Sequence, residues 1–121
     1  MLGDTLTLPA PGGNIVCTKI NQDGYSSEYL KVGASSKTRV RVRHTVTGAK
    51  NGAPAYDRHN IEVVTSFYEG ATGGARDVKV YMVMEGLPSD ETTLTDILDG
   101  LCDFLVADAD AVVAKLVGWE S

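Results

Sequence analysis

The sequence predicts an α+β protein: an antiparallel β-sheet preceded by an N-terminal hairpin and followed by two C-terminal α-helices. Three observations carry this prediction. Residues 37–47, 58–67 and 76–85 alternate polar and apolar side chains with the period of a half-buried strand. Leu94, Ile97, Leu98, Leu101, Cys102 and Leu105 recur at three- and four-residue steps, which is a helical stripe. Finally, the strand-like segments all precede the helix-like ones, so the layout is segregated rather than the alternating βαβ kind.

Taken in order, residues 5–8 and 14–20 are short β-favouring runs separated by Pro9, Ala10, Pro11, Gly12 and Gly13, so a hairpin is expected over 4–20. Another short run, 28–32, follows Asp23 and Gly24 and opens a main sheet expected over 28–86. In the first long strand Val40, Val42, His44 and Val46 share one face, while Lys37, Arg39, Arg41, Arg43 and Thr45 share the other. The next carries His59, Ile61, Val63, Thr65 and Phe67 on one side and Arg58, Asn60, Glu62, Val64 and Ser66 on the other. A small, flexible loop EGATGGA at 69–75 leads to the third, with Val78, Val80, Met82 and Met84 opposite Lys79, Tyr81, Val83 and Glu85.

Pro88 ends that strand, and Ser89 or Asp90 caps the first of two helices expected within 90–117. Asp108 is the expected cap of the second, with Val112, Val113 and Leu116 inward and Gly118 as the stop.

Directly opposed residues of antiparallel strands point to the same side. One allowed register of a meander therefore sets Arg41 beside Glu62 and Glu62 beside Tyr81. The resulting polar face holds Arg39, Arg41, Arg43, Thr45, Arg58, Asn60, Glu62, Lys79, Tyr81 and Glu85. Arginines two apart on a strand project side by side, and with an aromatic they make a platform for phosphates and unstacked bases. A solvated outer face is the plainer explanation of the same pattern.

The 121 residues suffice for one domain, 1–121, and not for two comfortable cores. Hydrophobic residues at 43% and charged residues at 22% are ordinary globular values, which excludes a disordered chain. The net charge of −5 is unevenly spread. Lys37, Arg39, Arg41, Arg43, Lys50 and Arg58 against Asp57 give +5 in one stretch, whereas from Glu85 to the end nine acids stand against Lys115 alone. Such asymmetry points to an anionic partner on one side. Cys17 and Cys102 are too few for a disulfide framework. The start lacks a signal-peptide pattern, and no stretch approaches the roughly 18 apolar residues of a membrane span. A soluble protein of a reducing cytosol is expected.

No catalytic or cofactor constellation assembles, so neither an enzyme nor a bound cofactor is expected. His44 and His59 share the inward parity and could be cross-strand neighbours, yet no Cys or carboxylate joins them at ligand spacing, so no metal site is expected. There is no G-x-S-x-G elbow, no phosphate-loop pattern and no EF-hand spacing among the tail aspartates. One difficulty remains: three long strands and a two-helix tail leave much apolar surface for so short a chain. Two chains would solve it as an intertwined dimer, with the helices of each packed on the partner's sheet.

This order of elements resembles the coat proteins of single-stranded RNA bacteriophages (levivirus-like). The segments that carry the resemblance are KTRVRVRHTVT, DRHNIEVVTSFY, EGATGGA, RDVKVYMVME and TLTDILDGLCDFL. It implies an intertwined dimer that self-assembles into an icosahedral shell, a virion component or virus-like particle assembled in the bacterial host cytoplasm. The sheet would face inward and bind the RNA genome, and an operator hairpin bound there would repress translation. The flexible loop would gather around the symmetry axes. Carried over position by position, the RNA-binding residues would be Arg39, Arg41, Arg43, Thr45, Arg58, Asn60, Lys79, Tyr81 and Glu85. This chain departs from the family pattern by placing Glu62 and Val83 near the centre of that face, and Glu62 would repel phosphate unless it orients Arg41. General packaging therefore fits better than recognition of one hairpin. The alternative is a small dimeric nucleic-acid-binding regulator that forms no shell.

Overall fold

The longest uninterrupted alternation in the sequence becomes the centre of the sheet. The computed structural model describes residues 2–49 and 51–120, so Lys50 of the basic segment lies outside the described residues. Six strands, β1 (Thr5–Leu8), β2 (Ile15–Gln22), β3 (Ser26–Val32), β4 (Ser36–Val46), β5 (Asp57–Phe67) and β6 (Arg76–Gly86), form one antiparallel, curled sheet in sequential order. The tail is a 3₁₀ turn at Pro88–Asp90 and one helix, α1 (Glu91–Val117). The chain divides into two compact units, Met1–Glu85 and Gly86–Ser121.

This corrects the expected architecture in two respects. The first two strands do pair, with Thr5 opposite Thr18 and Leu8 opposite Ile15, but they are not a separate hairpin. β2 continues past the span it shares with β1 and pairs with β3 from Thr18↔Leu30 to Gln22↔Ser27, shifting register between Lys19 and Asn21, so the hairpin is simply the sheet's edge. The tail is a single helix rather than two. No proline or chain-stopping glycine falls between Leu101 and Val117, and the alanines there favour helix, so the helix resumes after a kink at residues 107–110 rather than ending there. Asp108 is not a cap but part of a kink inside α1: Asp108, Ala109 and Asp110 take left-handed φ values of 52°, 54° and 64°.

The core lies on one face of the sheet. Cys17, Tyr29 and Val40, which neighbour one another across β2, β3 and β4, are fully buried, with Leu6, Leu8, Ile15, Ile61 and Val63 packed around them. Tyr29 is buried without an orphaned hydroxyl because Oη donates to the Gly3 carbonyl at 2.9 Å. Lys19 Nζ lies 5.9 Å from the centre of the Tyr29 ring and donates to the Leu2 carbonyl at 3.1 Å, which ties the N-terminal segment across the same side. Burial pushes the Cys17 thiol above its ordinary pKa, against a smaller opposing effect of Lys31, so it stays a protonated packing group.

Apolar cover is missing elsewhere. On β6, Val78 and Val80 are exposed, and on α1 so are Ile97, Leu101, Phe104 and Leu116. No described helix is long and apolar enough to cross a membrane.

Candidate nucleic-acid interface

Strand alternation puts Arg39, Arg41, Arg43 and Thr45 on the face of β4 opposite the core. Pairing with β5 then opposes Arg39 to Val64, Arg41 to Glu62, Arg43 to Asn60 and Thr45 to Arg58. The Arg41–Glu62 register is one of those that matching of faces allowed. On the other side β3 brings Leu30 opposite Arg39, Glu28 opposite Arg41 and Ser26 opposite Arg43. β6, next to β5, adds Lys79, Tyr81 and Glu85.

Two carboxylates organise the cations. Glu28 Oε1 lies 2.8 Å from Arg39 Nε and accepts from Arg41 Nε at 3.4 Å. Glu62, only 12% exposed, accepts from Arg43 Nη2 at 2.7 Å through Oε2 and sits 3.4 Å from Lys79 Nζ through Oε1. At the rim Arg58 Nε is 3.4 Å from Glu85 Oε1. Five cations thus meet three carboxylates, so the face stays positive. Such part-exposed pairs contribute at most about 1 kcal/mol each, so their consequence is geometric: they fix where the guanidinium groups stand.

An open concavity of about 490 Å³ gathers Arg43, Thr45, Arg58, Asn60, Lys79 and Tyr81 around Glu62. Six of the nine expected residues meet there. Arg39 and Arg41 lie in an adjacent concavity with Lys37, Tyr68 and Asp77 that shares Glu62 and Lys79 with the first, while Glu85 reaches the first only through Arg58. Tyr81 is 65% exposed, so its ring is open for stacking. Asn60 Oδ1 and Arg39 Nε are buried with no hydrogen-bond partner among the described residues, so the close approach of Arg39 Nε to Glu28 is an ion pair only.

Glu62 does not orient Arg41. Glu62 holds Arg43 and Lys79, because Arg41 turns to the other neighbouring strand and Glu28. Sequence reasoning missed Glu28 altogether. Its only signal was the register between β3 and β4, and the short run at 28–32 gave no handle on that register.

On the opposite face His44 and His59 are paired in register, with Nδ1 atoms 2.9 Å apart and rings edge to face at a centroid separation of 5.1 Å. Among the described residues no cluster of three or more His, Cys, Asp or Glu could hold a metal ion.

A sequence family described as the coat protein of phage phiCb5 matches residues 3–87. The chain belongs to that coat-protein family. The match spans all six strands and ends one residue past β6, so it lies on the sheet that carries the basic face, with α1 outside it. A search of curated proteins finds no match. The coat protein is accordingly a structural component of a phage virion, and its copies self-assemble into a capsid. That assignment displaces the non-assembling regulator.

Proposed function

We propose that the coat protein packages single-stranded genomic RNA on the polar face of its sheet, within an icosahedral shell built from dimers in the host cytoplasm. The observation that carries this reading is the ladder of Arg39, Arg41 and Arg43, three guanidinium groups side by side on one strand, each braced by a carboxylate and each part-exposed. Forked donors in that arrangement suit a phosphate backbone, and Lys79, Arg58 and Tyr81 extend the surface with further charge and a ring for an unstacked base. Dimers are supported by the apolar surface left open on β6 and α1, which a second copy would cover. A more selective use of the same face, repression of translation through an operator hairpin, is favoured by one feature: the concavity that collects Tyr81, Thr45 and the unpaired Asn60 acceptor, groups able to discriminate bases.

Electron microscopy of the purified recombinant protein, with the 260/280 nm absorbance ratio of the same fraction, tests the proposal. Closed shells with nucleic-acid absorbance are expected, and the double variant Arg41→Ala/Arg43→Ala should carry less RNA per particle. Unchanged RNA content in that variant would remove the sheet face as the packaging surface.

A further inference from the structure

The arginine ladder is not uniform. Arg43 already spends a terminal nitrogen, Nη2, on Glu62 at 2.7 Å. Arg39 and Arg41 instead turn Nε toward a single atom, Glu28 Oε1, and their terminal nitrogens make no hydrogen bond to the protein among the described residues. Only Arg41 Nε donates a hydrogen bond to that oxygen; Arg39 Nε, buried and without hydrogen-bond geometry to any partner among the described residues, is held beside it by charge. A guanidinium carries five N–H donors in a rigid fork, so holding its Nε edge against a carboxylate leaves the terminal pairs free to face outward. Glu28 is 24% exposed, less than Arg39 at 34% or Arg41 at 37%, so the carboxylate is the most shielded of the three groups and stands across from Arg41 on β3.

We infer that Glu28 is a positioning residue that sets the Arg39 and Arg41 forks to bind two successive phosphates of an extended single-stranded RNA. Residues two apart on a strand repeat at about 6.8 Å, a separation comparable with that of neighbouring phosphates in an unstacked strand. A carboxylate on an RNA-binding face costs attraction to phosphate. Holding two long side chains in one geometry offsets that cost, because each would otherwise lose rotamer freedom on binding. The inference rests on the packaging reading above and assigns Arg39 and Arg41, rather than Arg43, as the paired phosphate subsite.

The test turns on the sign of a charge change. Glu28→Gln and Glu85→Gln each add one unit of positive charge to the same face. Were Glu28 merely a neutralising charge, both variants would bind RNA more tightly, with steeper salt dependence. As a positioning residue, Glu28→Gln should weaken binding of a short fluorescein-labelled oligouridylate to the full-length, unassembled protein by about three- to tenfold, while Glu85→Gln binds as tightly as the parent or more so. Equal or tighter binding by Glu28→Gln would overturn the inference. Should Glu28→Gln fail to fold, Arg39→Lys and Arg41→Lys give the same reading. Each keeps its charge but cannot hold an Nε edge against Glu28 while presenting a fork outward, so each should lose affinity, and unchanged affinity in both would overturn the inference. Failure of the packaging reading has a different signature: no oligouridylate binding by the parent protein, with unchanged RNA in the Arg41→Ala/Arg43→Ala particles.

Discussion

The two ends of the sheet differ in what a single chain can finish. Across β2, β3 and β4 the apolar face is closed: Cys17, Tyr29 and Val40 have no exposed surface. On β6 the same alternation leaves Val80 71% exposed and Val78 half exposed, and α1 leaves Ile97 and Phe104 open. The residue types are alike and only the cover differs. The first region is therefore a folding core, and the second is apolar surface that, on the proposal above, other copies of the chain cover.

Breaking the closed region should have the largest effect. Tyr29→Ala removes a fully buried ring from between Cys17 and Val40 and should destabilise the chain by about 3–5 kcal/mol, read as a loss of the cooperative urea transition. Tyr29→Phe removes only the hydroxyl that donates to Gly3 and should cost about 1 kcal/mol. A Tyr29→Ala protein as stable as its parent would mean that the core lies elsewhere.

The open region should respond in assembly and not in folding. Val80→Asp places a charge on surface already in contact with solvent, so the unassembled chain should change by less than about 1 kcal/mol. Particles should nevertheless fail to form, because an unpaired carboxylate would be buried wherever a second copy covers β6. Sedimentation separates shells from small species, and normal shells from Val80→Asp would show that β6 is not an interface. An intermediate case is the loop before β6. Gly73 has φ +87°, and a Cβ there would fall 2.7 Å from Nη1 of Arg76, whose guanidinium donates to the carbonyls of Thr72 and Gly74 and stacks over Phe67. Gly73→Ala should cost about 1–2 kcal/mol locally and change particle yield or size while the sheet unfolds at its usual denaturant concentration.

The same contrast explains what could be read from the residues. Alternation marked β4, β5 and β6 to within a residue or two and set all three arginines on one face, because period-two patterning is imposed wherever one face is buried. Where patterning is weak, partners were out of reach. β1 and β2 read only as a hairpin, because their union with the main sheet that opens at β3 depended on cross-strand registers, and the Glu28 brace depended on the register of β3 with β4. The tail misled for a different reason. Asp108 has the chemistry of a cap, but its backbone is left-handed within the kink at residues 107–110 rather than extended as a cap requires, and the alanine-rich segment resumes the helix beyond it.

The smallest effect belongs to the turn between β2 and β3, which lies at the margin of the closed region. Asp23 Oδ1 accepts from the backbone N–H groups of Tyr25 and Ser26 at 2.8 and 2.7 Å, and Oδ2 accepts from Ser26 Oγ at 2.9 Å. Donation from Tyr25 first, then from the Ser26 hydroxyl and amide, holds this carboxyl below its ordinary pKa. A carboxyl depressed in the folded state contributes stability that is fully present above its unfolded value, about 3.9, and is lost as pH falls through the lower folded value. Asp23→Asn keeps an acceptor but no charge. The stability gap between parent and variant should therefore be constant above about pH 5 and close steadily below about pH 4. Because the group is wholly exposed, the gap will be small, and it is best followed as the difference between paired urea titrations at each pH. A gap that persists unchanged in acid would mean that the turn is held by the backbone pair of Asp23 N–H with the Ser26 carbonyl, 2.9 Å apart, and not by the side chain's charge.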